Sequence, residues 1–318
     1  MTPLLDQISL VLVYSAIAVY ACAFVAFALQ LARSAAQACT PAPERVSVVA
    51  GPLPAGPADT GDAEPRPPVG TRGRVGYALT VLGAVLHVTA AVLRGIAADR
   101  VPWANMFEFS LTGTALIIAT FLLLSIWART AFLGTAVLGL ATLLLGTATV
   151  SFYVPVIPLV PALQSAWLVI HVMVALLACA FFGLSFLVSV TYLVKARPRT
   201  RAAAPRLSAL LGSVPGTEAL ERLAYRLNIV GFALWTFTLI AGAIWAGRAW
   251  GRYWGWDVKE VWTFIIWVIY AAYIHAMATR GWHGRRAAWL SIIGFAAVLF
   301  NFGVVNVFFT GLHSYSGL

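Results

Sequence analysis

Eight apolar runs, each about long enough to cross a bilayer, leave this 318-residue chain few folds to choose from. They fall at about 8–32, 76–97, 109–128, 131–152, 163–194, 227–248, 262–279 and 287–310. A spanning helix needs about 20 mostly apolar residues. Because hydrocarbon offers no water to the backbone N–H and C=O groups, runs of this length must close their hydrogen bonds internally, as helices. Composition agrees: 61% of residues are hydrophobic and 10% charged, where a soluble domain carries about 25% charged residues. The predicted fold class is an all-α polytopic membrane protein with about eight transmembrane helices. The first run is too long for a signal-peptide core, and with no basic leader before it and Arg33 after it, it is read as a retained helix.

Sidedness follows from the loop cations. With the N-terminus outside, five of the 21 Lys and Arg residues fall outside: Arg94, Arg100, Arg248, Arg252 and Lys259. The other sixteen fall on the cytoplasmic side, the side that such an excess marks. Both termini and the loop after the sixth run are therefore expected on the outer face. The positive balance is a property of these loops and does not indicate nucleic-acid binding. Residues 1–32 form an N-terminal transmembrane helix. The Pro/Ala/Gly-rich stretch 33–75 cannot bury a core and reads as a disordered cytoplasmic linker. Residues 76–318 form the main membrane domain. The basic stretch 196–225 contains PGTEALERLAYRL, with Thr217 as a candidate N-cap and Glu218 and Glu221 after it, which predicts a short amphipathic helix on the inner surface.

The three cysteines, Cys22, Cys39 and Cys179, lack CxxC or CxxCH spacing. That argues against a redox dithiol, a zinc site or covalently attached haem, and the cysteines read as small buried hydrophobes. Chemistry is concentrated elsewhere. WGRYWGWDVKEVW, from Trp250 to Trp262, packs four tryptophans with Asp257, Lys259 and Glu260 between two spans. Such a cluster suits a flat aromatic platform for a large planar ligand. His171, two turns into the fifth helix, and His313, just past the eighth, lie on the same outer face. Two imidazoles beside aromatic surfaces suit a haem with two axial nitrogen ligands, with Lys259 or a nearby Arg to pair its propionates. Histidine inside a membrane needs a partner. His275, on the inner half of the seventh helix, is open to a second haem, a relay or a bond to a neighbouring helix; for His87 the interhelical bond is the favoured reading. No helix carries two histidines 13–14 residues apart, which weighs against a quinone–cytochrome carrier. Glu108 and Asp257 suit helix capping, with lining of the outer site as the alternative. Asn301 and Asn306 are expected to bond to other helices.

The Trp-rich run resembles the WWD signature of the haem-handling proteins of cytochrome c maturation, and is most similar to the system II CcsA (ResC) branch. LQSAWLVIHV (163–172), GLHSYSG (311–317) and VPWANMFEF (101–109) resemble flanking segments of that family, and the likeness covers about residues 76–317. Val258 stands where many members have Pro, and Lys259–Glu260 fits the system II branch. The resemblance implies haem b at an external WWD loop (249–262), contacted by Trp250, Trp254, Trp256 and Asp257, with His171 and His313 on the iron. It implies that His275 matches a transmembrane haem-ligand histidine whose counterpart comes from a CcsB/ResB-like partner. It further implies apocytochrome c as client, a thioredoxin-like reductant, and haem export with attachment to CxxCH. A haem-binding transporter or chaperone without ligation activity is the second reading, and a transporter of another planar or anionic ligand the third. The Ala/Arg/Gly-rich composition points to a bacterial plasma membrane rather than a thylakoid.

Overall fold

The structure is a computed structural model and describes residues 2–38, 71–128, 130–156, 165–197, 210–279 and 281–312. The expected linker lies largely in 39–70, outside the described residues, as do Cys39 and His313. Among the described residues, eight helices are long and apolar enough to cross a membrane: α1 (Thr2–Ala38), α2 (Thr71–Ala98), α3 (Met106–Trp127), α4 (Ala131–Ser151), α5 (Ala166–Lys195), α6 (Thr217–Trp250), α7 (Val258–Thr279) and α8 (Arg285–Phe300). The chain is thus an integral membrane protein with an all-α fold. The eighth span continues to Phe308 through a wide π turn at Asn301–Val305.

Three local expectations are corrected by the structure. The predicted surface helix at 217–225 is the first part of α6, which runs unbroken for 34 residues. Leu220, Ala224 and Leu227 are buried in the core, so an apolar stripe continues across the polar segment. Gly216, not Thr217, occupies the N-cap position. Cys22 is exposed on α1 rather than buried.

One core joins α1–α4 to one face of α5 and to the start of α6, and a second joins α5 to α6, α7 and α8. α5 is the shared wall. Polar groups tie the helices where apolar packing alone has no direction. Asn228 Nδ2 donates to Ser291 Oγ at 3.1 Å, and Trp267 Nε1 donates to Thr236 Oγ1 at 3.0 Å. His87 is completely buried. Its Nε2 lies 2.9 Å from the Leu111 carbonyl, which can only accept, so Nε2 carries the proton. Nδ1 then accepts from Tyr20 Oη at 3.2 Å. Both ring nitrogens are used between α1, α2 and α3, and His87 is a structural tie as expected.

Because the spans alternate, the N-terminus of α1, the loops at 99–105 and 251–257, and the end of α8 share one face. At that face sits a buried charge cluster. Arg94 Nε donates to Glu108 Oε1 at 3.0 Å and its Nη1 reaches Asp6 Oδ1, while Arg100 Nη1 pairs with Glu108 Oε2. Tyr153 Oη donates to Asp6 Oδ2 at 3.0 Å. Burial, reinforced by that carboxylate, raises the Tyr153 phenol above its ordinary range, so it stays a donor. Arg94, counted in sequence as a loop cation, belongs to α2 and is fully buried. Asn105, not Glu108, caps α3, its Oδ1 accepting from Glu108 N at 2.9 Å. Glu108 instead ties down the preceding loop by accepting from Ala104 N at 2.9 Å.

Candidate functional site

The loop at 251–257 forms because α6 must stop and α7 must start within seven residues. Gly251 ends α6 with φ +71°, a left-handed conformation that side chains resist. At the start of α7, Glu260 Oε2 accepts from Asp257 N at 3.1 Å and from Gly255 N at 2.8 Å. This is the carboxylate half of a capping box, with Asp257 at the cap position and Glu260 three residues on. Between these ends Trp256 is held at φ +60° with 76% of its surface exposed. A left-handed non-glycine at an exposed tip is a strained feature of the kind that collects at functional sites.

Beneath this loop lies a cavity of about 200 Å³ between α3, α5, α6, α7 and α8. Its α5 wall runs from Leu168 to Cys179 and its α6 wall from Trp235 to Ala246, each about 16 Å at 1.5 Å per residue. Tyr253 and Trp254 frame the mouth, and Trp103 and Asn105 of the anchored 99–105 loop form part of the wall toward α3. The site is therefore a deep apolar slot with a few polar groups at defined heights, the usual form of a small-molecule pocket.

His171 lines this slot. Its Nδ1 lies 2.9 Å from the Thr238 carbonyl on α6, so Nδ1 carries the proton and Nε2 has the lone pair in the neutral ring. That is how proteins fix an imidazole for metal ligation, with a backbone carbonyl holding the other nitrogen. Trp245 stacks on the ring, centroids 6.0 Å apart and 17° between planes. Gly242 is required on the facing turn of α6, since a Cβ there would stand 2.8 Å from His171 Cε1.

The tryptophans of the loop do not form one flat platform. Trp254 lines the slot, and Trp256 meets it edge-on at 5.8 Å and 87°. Trp250 packs inward on Trp245, and Trp262 on Phe300. Among the described residues, Trp250, Trp256 and Asp257 stand beside the slot rather than in its wall. The Asp257 carboxylate packs against Gly311, where a Cβ would collide with it. The chain leading to His313 therefore passes directly beside the Trp-rich loop, two residues before the histidine. His275 is elsewhere: it lies near the opposite end of α7, exposed on the helix surface. His283 is exposed and bonds Glu221 Oε1 at 3.1 Å.

Several wall residues were not singled out from sequence, notably Trp103, Thr238, Gly242 and Trp245. The signal for the last two was present, as Gly242 and Trp245 are three residues apart and so share one helical face. Lys259, counted as an outer loop cation, enters the first turn of α7 and turns into the slot. Its Nζ donates to the Asn301 carbonyl at 2.9 Å and to Asn306 Oδ1 at 2.6 Å.

Comparisons with known proteins agree with this architecture. Residues 103–313 match the family model described as cytochrome C assembly protein. The chain is similar to "Cytochrome c biogenesis protein CcsA" of Gloeobacter violaceus, 33% identical, with 74% of this chain and 84% of that protein covered. It is similar to the CcsA of Guillardia theta at 34% identity, covering 77% and 86%. The CcsA of Prochlorococcus marinus (strain AS9601) is 42% identical over 49% of this chain and 56% of that protein. The fold resembles that of a solved structure described as "Cytochrome c Heme Lyase CcmF", with a TM-score of 0.60 at 17% identity; all of this chain is covered and it spans half of that one.

Proposed function

Because the chain belongs to the CcsA family of cytochrome c assembly proteins and acts in cytochrome c maturation, we propose that it carries haem across the membrane and presents it at the slot for attachment to CxxCH. The observation that carries this reading is His171: its proton is held on Nδ1 by the Thr238 carbonyl, and its ring lies in an apolar slot capped by Trp254. A slot about 16 Å deep between helices admits a planar macrocycle edge-first, leaving the outer edge among Tyr253, Trp254 and Trp256. His313 is the second axial ligand in this reading, supported by the contact of Gly311 with Asp257. The outer face is extracytoplasmic, the stretch between α1 and α2 is a cytoplasmic linker, and the membrane is a bacterial plasma membrane. Trp250 and Asp257 hold the loop, and Trp254 and Trp256 contact the haem b.

Haem would reach the slot from a site at His275, whose exposure on α7 suits a ligand shared with a CcsB/ResB-like partner. Attachment adds each client thiol across a vinyl group: C–S and C–H bonds form, the S–H and vinyl π bonds are lost, and no net oxidation occurs. The thiols must arrive reduced, which calls for a thioredoxin-like donor. The protein supplies orientation and proximity.

The test is to incubate the full chain with its co-expressed partner, haem, a thiol reductant and a CxxCH peptide, and to read the peptide's mass. A peptide heavier by one haem and stable to acidified acetone is expected. Haem released from the chain without thioether formation would instead favour the transporter or chaperone reading.

A further inference from the structure

One charged side chain of the slot wall, Lys259, is held in a way that leaves it open to a ligand. On the slot's α7–α8 wall the Lys259 ammonium is buried and held by the Asn301 carbonyl and by Asn306 Oδ1. A buried cation needs satisfied donors and a counter-charge, and an ammonium has three N–H donors for which these contacts occupy two. Beside it Asn301 is 5% exposed, and its side-chain Oδ1 is buried with no hydrogen-bond partner. Asn301 opens the π turn, and such single wide turns inside helices are frequent at functional sites. A buried cation next to an amide whose oxygen is unpartnered, both in the wall of one apolar slot, suits an anionic oxygen pair once that amide presents its NH₂.

We propose that Lys259, with the amide of Asn301, binds a carboxylate of the cargo and thereby sets which edge of it faces the α7–α8 wall. The proposal rests on the haem reading. The two propionates stand on one edge of the macrocycle and the vinyl groups lie away from that edge. With a propionate on Lys259, the propionate edge lies against α7 and α8 and the vinyl-bearing side is turned away from that wall. Asn301 turns its NH₂ toward the same carboxylate, since an unpaired amide end is free to flip. Lys259 acts here as a positioning residue.

The experiment compares haem with haem dimethyl ester, which keeps the macrocycle and iron and loses the carboxylate charges. In detergent, the full wild-type chain should bind haem at least about tenfold more tightly than the diester, the scale of one charge-assisted hydrogen bond. Lys259→Met should bring the two ligands within about twofold of each other, and Lys259→Arg should keep the preference. Asn306→Asp provides a second route that leaves Lys259 in place: its carboxylate occupies the ammonium and should abolish the preference equally. Equal binding of both ligands by the wild type, or a full preference in both Lys259→Met and Asn306→Asp, overturns the proposal. If the wild type binds neither ligand, the haem reading itself fails and the proposal falls with it.

Discussion

His171→Ala is expected to lose at least nine-tenths of the bound haem and of cytochrome c maturation, and to regain part of both when imidazole is supplied. Thr238, Gly242 and Trp245 on α6 fix the tautomer, the distance and the tilt of the His171 ring. Removing an outer partner of a metal-bound histidine typically costs about 10–100-fold in affinity, and removing the ligand itself should cost no less. The space left by the ring is walled by the same residues, so free imidazole has a shaped place to enter. His87→Ala is the control. Its ring nitrogens serve Tyr20 and the Leu111 carbonyl, so that variant should lose stability and leave the haem spectrum of the surviving protein unchanged. Haem content per protein, read from the Soret band with and without imidazole, decides the matter. Full haem in His171→Ala would remove His171 from the iron.

Glu108→Gln should produce the largest loss of stability from a single conservative change, roughly 3–5 kcal/mol, because it leaves buried arginines short of a counter-charge. Asp6, Glu108, Arg94 and Arg100 make a neutral set, and the side chains of Arg94 and Glu108 have no exposure at all. The same carboxylate holds Ala104 N, so its loss also loosens the loop that brings Trp103 and Asn105 to the slot. A denaturant titration of the purified chain should show this loss. The double variant Glu108→Gln/Arg94→Met should cost much less than the two single changes added together, since residues in one network are coupled. Additive effects, or a loss below about 1 kcal/mol, would mean that the cluster is a bystander.

Much of this architecture was legible in the chain. The eight spans could be read because a bilayer demands about 20 apolar residues and tolerates no open backbone. The common end of His171 and the Trp-rich loop followed from counting spans. What was not legible depended on partners distant in sequence. Arg94 looks like a loop cation until Asp6 and Glu108 are brought to it. The start of α6 looked like a surface helix because its charges hide the stripe of Leu220, Ala224 and Leu227. Four clustered tryptophans suggested one platform, yet Trp250 and Trp262 pack on Trp245 and Phe300, and Trp254 and Trp256 meet each other edge-on. Lys259 has the same one-letter context whether it faces water or the slot; only the π turn at Asn301, invisible in sequence, shows which.

The central claim is that the slot under the Trp-rich loop holds haem between two imidazoles. The most direct measurement is the dithionite-reduced absorption spectrum of the detergent-purified full chain, with and without its co-expressed partner. A Soret band with sharp α and β peaks, lost in His171→Ala and restored by imidazole, is the predicted result. Absence of haem from both wild-type preparations, even after haem is added, would contradict the account.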